Sequence, residues 1–155
     1  MSTQRVARAE VTVPVPPEDA FTMFTEDIGL WWRRDTPYWN DRGRGLSIRI
    51  EPGTGGRFVE VYDLESGGGL EIGRVTAWVP ARRLALTWTQ AGWPHGVSTD
   101  LEITFEEVTG GGTRVRLEHA GFERVPGAMD FFDGYDSGWT EVLGWFAAHA
   151  VAAHE

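Results

Sequence analysis

Residues 98–120 read STDLEITFEEVTGGGTRVRLEHA. Two runs of alternating apolar and polar side chains flank Thr109-Gly110-Gly111-Gly112, which is a hairpin signal. Pairing 98–108 with 113–120 places Leu101, Ile103, Phe105, Val115, Leu117 and His119 on one face. Asp100, Glu102, Thr104, Glu106, Arg114, Arg116 and Glu118 fall on the other. One face is built for a core and the other for water, the pattern of an antiparallel sheet covered on one side. A slip of one residue would turn every apolar side chain outward, so the alternation also constrains register.

The period of two extends backwards from this hairpin. Candidate strands span 46–51, 56–63, 71–79 and 82–90, separated by PGTGG, ESGGG, the Pro80-Ala81 corner and AGWPHG. A pairing that keeps apolar residues together puts Glu60 opposite Arg74, Arg74 opposite Trp88, and Trp88 opposite Leu101, which faces His119. The layer below holds Phe58, Thr76, Leu86, Ile103 and Leu117, and the next adds Trp78, Leu84, Phe105 and Val115. Residues 5–13 also alternate, with Ala7, Ala9, Val11 and Val13 on one side, and read as a first strand.

Pro14, Pro16 and Pro17 end that strand and permit a helix to start, since proline is tolerated in a first turn and Glu18 and Asp19 suit its positive end. Ala20, Phe21, Phe24 and Ile28 form the helix's apolar stripe. Trp31 and Trp32 follow, and then a polar, Gly-rich loop to Gly45. From Asp130 to the end the spacing is helical again, with Phe132, Tyr135, Trp139, Val142, Leu143, Phe146 and Ala150 on one stripe; Gly134, Gly138 and Gly144 weaken it. Strand, helix, six strands and long helix define an α+β fold with an antiparallel sheet, expected as one domain over 1–155. Burying the helix stripe against the sheet stabilises the fold by several kcal/mol at roughly 25 cal/mol per Å². A strongly curved sheet need not touch the helix along its whole length, and a pocket is expected where it does not.

Composition narrows the function. The 155 residues contain no cysteine, carry 14 basic and 23 acidic side chains, and have a net charge of −9. Every basic residue is arginine. An acidic chain without a basic stripe is a poor partner for nucleic acid. No run of about 18 apolar residues exists for a membrane span, the N-terminus lacks the apolar segment of a signal peptide, and the expected location is the cytoplasm. The four histidines, His95, His119, His149 and His154, show no zinc-like pairing, and neither a phosphate loop nor a nucleophile elbow is present. No metal and no cofactor are expected. Eight tryptophans suit a core or a half-wet cavity, because indole is large and carries a single N–H donor.

The row Glu60–Arg74–Trp88–Leu101–His119 stands out, since charges and an imidazole on an apolar face are costly to bury unpaired. Two readings apply: the row orients the polar group of a ligand stacked on Trp88, or Glu60 and Arg74 are a structural pair while His119 bonds a carbonyl. Trp31 and Trp32 either gate the cavity mouth or plug it. Trp93 and His95 sit on a loop able to act as a lid or as an ordinary hairpin turn. Tyr62, Tyr135 and Trp139 offer O–H and N–H donors toward the cavity. Leaving aside Trp93 and His95, and together with Phe58, these are the candidate ligand-contacting residues, the ligand being a small apolar or aromatic molecule. No catalytic residue is assigned, although Glu60 or His119 is suited to moving a proton if their surroundings adjust them.

The chain also resembles a known family. The pieces that carry the likeness are VTVPVPPEDAFTMFTE at 11–26, GLWW at 29–32, GGRFVEV at 55–61, GRVTAWVPARRLALTW at 73–88, STDLEITFEEV at 98–108, GTRVRLEHAGF at 112–122 and GWTEVLGWFAAH at 138–149. In this order they are similar to the SRPBCC (START/Bet v 1-like) superfamily, within it to the family named after the C-terminal domain of the activator of Hsp90 ATPase. The resemblance implies a helix-grip fold, a seven-stranded curved antiparallel sheet around a long C-terminal helix, with a ligand cavity between them. It implies three kinds of function: a carrier of a small hydrophobic ligand, a polyketide cyclase or aromatase, and a chaperone-interaction module. The eukaryotic activator has a separate N-terminal domain that engages the chaperone; these 155 residues are not expected to hold one, and chaperone stimulation is not expected to carry over.

Overall fold

A computed structural model describes residues 6–127 and 132–154. Strands β1 (Ala7–Val13), β2 (Ser47–Ile50), β3 (Arg57–Val61), β4 (Gly69–Val79), β5 (Arg83–Trp88), β6 (Thr99–Glu107) and β7 (Thr113–Ala120) form one sheet in the order β1-β7-β6-β5-β4-β3-β2. All neighbours are antiparallel. Helices α1 (Pro17–Thr25) and α2 (Ile28–Trp31) follow β1, and the long helix α3 (Phe132–His154) ends the chain. This is the expected helix-grip arrangement. The expected helix start at Asp130 and the side chain of Phe132 lie outside the described residues. No described helix is long and apolar enough to cross a membrane.

The local causes are those read from sequence. Pro16 caps α1 in an extended conformation, Pro17 occupies its first turn, and Glu18 and Asp19 sit at its positive end. Ala20, Phe21 and Phe24 of α1 are buried, as is Ile28. The β6–β7 register pairs Leu101 with His119, Ile103 with Leu117 and Phe105 with Val115. On α3, Trp139, Val142, Leu143, Phe146 and Ala150 are buried, together with Trp145, which the stripe did not include. Phe21 and Phe24 meet Phe105 edge-on at 5.2 and 6.0 Å, and Phe24 meets Phe146 at 5.3 Å. Aromatic edges packed in this way fill the region under β6 and β7.

The other half of the sheet departs from the expected register. Strand β4 carries two irregularities, one beside Phe58 and Val59 of β3 and one between Val75 and Ala77. A bulge sets two residues against one and changes which face the following side chains take. Ile72 and Val75 therefore take the buried positions, while Arg74 and Thr76 are exposed. Arg74 pairs with Arg57 rather than with Glu60, which pairs with Leu70. Gly73 makes the first bulge sterically feasible, because a Cβ there would run into the Thr87 carbonyl of β5. Between β5 and β6 the register is offset by two from expectation: Trp88 faces Thr99, Leu86 faces Leu101 and Leu84 faces Ile103. An offset of two leaves the same side chains pointing inward.

Candidate functional site

A pocket of about 460 Å³ opens where the bulged half of the sheet separates from α3. Its floor is Ile48, Glu60, Ile72 and Trp88 from β2 to β5; its helical wall is Gly134, Tyr135, Gly138, Trp139 and Val142. Trp32 and the segment Pro37–Asn40 close one side, and Gln90 and Trp93 close the other. The walls are held by close fits to glycine. A Cβ on Gly45 would occupy the space of the Trp39 ring, and one on Gly138 would stand 3.3 Å from Tyr38. At Gly134 a Cβ would meet nothing within 4 Å. The α3 glycines that weaken the helix thus seat one aromatic wall and leave room beside another.

Glu60 is 1% exposed and is the one carboxylate on the described wall. Its partners are not arginine. Oε1 accepts from the Asn40 backbone N–H at 2.7 Å and from Asn40 Nδ2 at 3.2 Å; Oε2 accepts from Asp41 N–H at 2.9 Å and from the Tyr62 hydroxyl at 2.6 Å. Four donors satisfy the buried group without a counter-ion. Asn40 Oδ1 accepts in turn from Ala91 N–H at 2.8 Å. One carboxylate thus ties β3 to the 37–41 segment, and through Asn40 to the loop carrying Trp93. Burial and the hydrogen bond to Glu60 push the Tyr62 phenol above its ordinary range. Tyr62 braces Glu60 and is not on the pocket wall.

His119 is completely buried and lies behind the wall. Trp139 Nε1–H reaches His119 Nδ1 at 3.0 Å, and His119 Nε2 lies 2.6 Å from Thr99 Oγ1. Indole nitrogen can only donate, so Nδ1 accepts and Nε2 carries the proton. Thr99 then passes its own hydroxyl hydrogen to the Trp88 carbonyl at 3.3 Å. Burial pushes the imidazole down to about 3. His119 is therefore a neutral spacer with both nitrogens occupied, locking Trp139 to the Trp88 backbone. Trp88 and Trp139 meet edge-on at 5.2 Å, and Trp32 meets Trp139 at 6.3 Å. Tyr135 stands edge-on to His119 at 5.1 Å, and burial raises its phenol to about 12.

The structure thus brings five of the expected residues to the wall: Trp32, Glu60, Trp88, Tyr135 and Trp139. Phe58 packs behind Trp88 at 5.9 Å, and Leu101 lies buried beneath. Trp31 belongs to the solid core: its N–H reaches the Met23 carbonyl at 3.0 Å and its ring meets Phe24 and Phe146. Arg74 is on the outer face, bonded to Glu71 at 2.8 Å, because the bulges turn it outward. Trp93 lines the mouth, while His95 is exposed. Tyr38, Trp39, Asn40 and Gln90 were not singled out from sequence. The aromatic pair 38–39 inside a polar loop was the available signal. Among the described residues no group of acidic, histidine or cysteine side chains is arranged to hold a metal ion.

A sheet gripping a C-terminal helix around an aromatic pocket defines a helix-grip protein. The chain belongs to the Activator of Hsp90 ATPase homolog 1-like protein family, whose model matches residues 14–150. No curated protein matches its sequence. Among solved structures it is similar to protein MLL2253 from Mesorhizobium loti (22% identity, TM-score 0.67, covering 93% of this chain and 95% of that one). It is similar to the anthrahydroquino-gamma-pyrone synthase Txn09 (29%, TM-score 0.61, covering 96% and 99%). It also resembles an AHSA1-like protein from Rhizobium etli (26%, TM-score 0.59, covering 97% and 84%).

Proposed function

We propose that this protein binds a small, flat, largely apolar molecule in the pocket between β2–β5 and α3. The observation that carries the reading is the wall itself: Trp32, Trp39, Trp88, Tyr135 and Trp139 around about 460 Å³. That volume is in the range of small-molecule sites, roughly 300–1,000 Å³. Their ring edges and faces suit an aromatic body. N-phenyl-1-naphthylamine, an uncharged fluorescent probe, is expected to bind with one-to-one stoichiometry. Gly134→Phe puts a ring into the open space beside the wall and is expected to weaken the probe at least tenfold without lowering the melting temperature. Trp88→Ala is expected to weaken it as well. Equal affinity in Gly134→Phe and wild type would move the ligand out of this pocket.

A second reading, ring closure on a bound reactive chain, is favoured by the full-length likeness to the pyrone synthase. In that reading the pocket supplies positioning. His119 is unsuited to proton transfer, because both nitrogens are engaged and burial keeps it neutral. Glu60 and the Tyr135 hydroxyl are the wall groups that reading calls on, and each would have to leave its buried position to meet a reacting atom. Turnover lost in Glu60→Gln or Tyr135→Phe, with probe affinity retained, is the expected result of that reading.

A further inference from the structure

Most polar groups on the pocket wall already have protein partners. The indole N–H of Trp32 donates to the Tyr38 carbonyl at 3.1 Å, that of Trp39 to the Arg33 carbonyl at 2.9 Å, and that of Trp139 to His119. Asn40 gives one of its two amide hydrogens to Glu60, and its oxygen accepts from Ala91. Glu60 itself accepts four donors. Each of these indoles has a single hydrogen, so a ligand seeking it would have to break a bond inside the protein, and Asn40 keeps only one of its two.

Gln90 differs. It lies two residues beyond the end of β5, on the pocket wall, and is half-buried. Its Oε1 stands 3.4 Å from Trp88 Nε1. Indole donates and never accepts, so the amide oxygen must be the end that faces Trp88. The two hydrogens of Nε2 then meet no partner among the described residues. Trp88 holds this orientation, and its backbone carbonyl is bonded through Thr99 and His119 to Trp139.

We propose that Gln90 is the specificity-determining polar contact of the pocket, and that its Nε2 selects aromatic ligands carrying a carbonyl-type acceptor. The inference rests on the pocket reading above and adds the class of ligand. Aromatic stacking supplies affinity without regard to functional groups, while one outward-facing amide donor discriminates between a flat ketone and the corresponding hydrocarbon.

The test compares two molecules of one skeleton, fluorene and 9-fluorenone, against wild-type protein and Gln90→Leu. Gln90→Leu is expected to weaken 9-fluorenone about three- to tenfold, the effect of a single net hydrogen bond, and to leave fluorene within about twofold. The infrared carbonyl stretch of bound 9-fluorenone is expected at lower frequency in wild type than in Gln90→Leu, a change that a purely structural role for Gln90 would not produce. Gln90→Met, which keeps the length of the side chain without the amide, is expected to behave as Gln90→Leu does and guards against a packing defect in one variant. Equal losses for both molecules, or an unchanged carbonyl band, overturn the role of Gln90 while leaving the pocket. If neither molecule binds the wild type, the pocket reading falls and this inference falls with it.

Discussion

The two halves of the sheet solve the same packing problem differently. Under β1, β7 and β6 the alternation is unbroken, every pair is in simple register, and Phe21, Phe24, Phe105 and Phe146 fill the space below α3. Under β2 to β5 the register is interrupted twice in β4. The rings there stand around a space instead of filling it, and a buried carboxylate tied to loop backbone replaces apolar contact. Regular alternation gives stability, and the interrupted strand gives room. The pair Trp31 and Trp32 stands at the seam: neighbours in sequence, one is in the solid core and the other on the pocket wall.

The comparison breaks most visibly in the filled half. Phe146 is completely buried, and Phe146→Ala is expected to cost about 3–5 kcal/mol in urea unfolding, the usual range for a large aromatic lost from a close-packed core. A loss under 1 kcal/mol would mean that this half is loosely packed. In the open half the sensitive residue is polar. Glu60→Gln leaves at least one backbone N–H of the 37–41 segment facing an amide NH₂, and is expected to cost about 2 kcal/mol. Hydrogen exchange at Asn40, Asp41 and Ala91 should accelerate together, because Asn40 and Asp41 bond Glu60 directly and Asn40 carries the link on to Ala91. Acceleration at Asn40 and Asp41 alone would show that the loop carrying Trp93 is held by something else.

How much of this was legible in sequence follows from the same contrast. The β6–β7 register, the inner face and the α3 stripe were readable because apolar period and burial agree over many residues. Arg74 was misplaced because a bulge leaves no mark on the alternation, apart from Gly73, whose missing Cβ admits the Thr87 carbonyl. The partners of Glu60 were beyond reading for another reason. A buried carboxylate calls for donors, but backbone N–H groups are present at nearly every residue, so sequence pointed to an arginine instead. Asn40 and Gln90 lie on loops whose course is set by these contacts and by no local pattern.

The seam sharpens further with pH. His119 has its folded value pushed down to about 3 by burial, against about 6.5 in an unfolded chain. Above pH 6.5 both states are neutral and the group adds no pH dependence. As pH falls through 6.5 toward 3, the unfolded chain takes the proton that the folded one refuses, so stability is lost. The expected loss from this group is about 2 kcal/mol at pH 5 relative to pH 8. His119→Gln, able to keep a donor and an acceptor at the same place, is expected to remove that share of the pH dependence. An identical pH profile in the variant would mean that the buried imidazole titrates normally.

Indole N–H resonances give the most direct view of the open half. On titration of ¹⁵N-labelled protein with N-phenyl-1-naphthylamine, the signals of Trp32, Trp88 and Trp139 are predicted to shift together and saturate at one equivalent, while Trp31 and Trp78, packed against Phe24 and Phe21, stay in place. Shifts confined to Trp31 and Trp78, or none at all, would contradict a ligand seated between the bulged strands and α3.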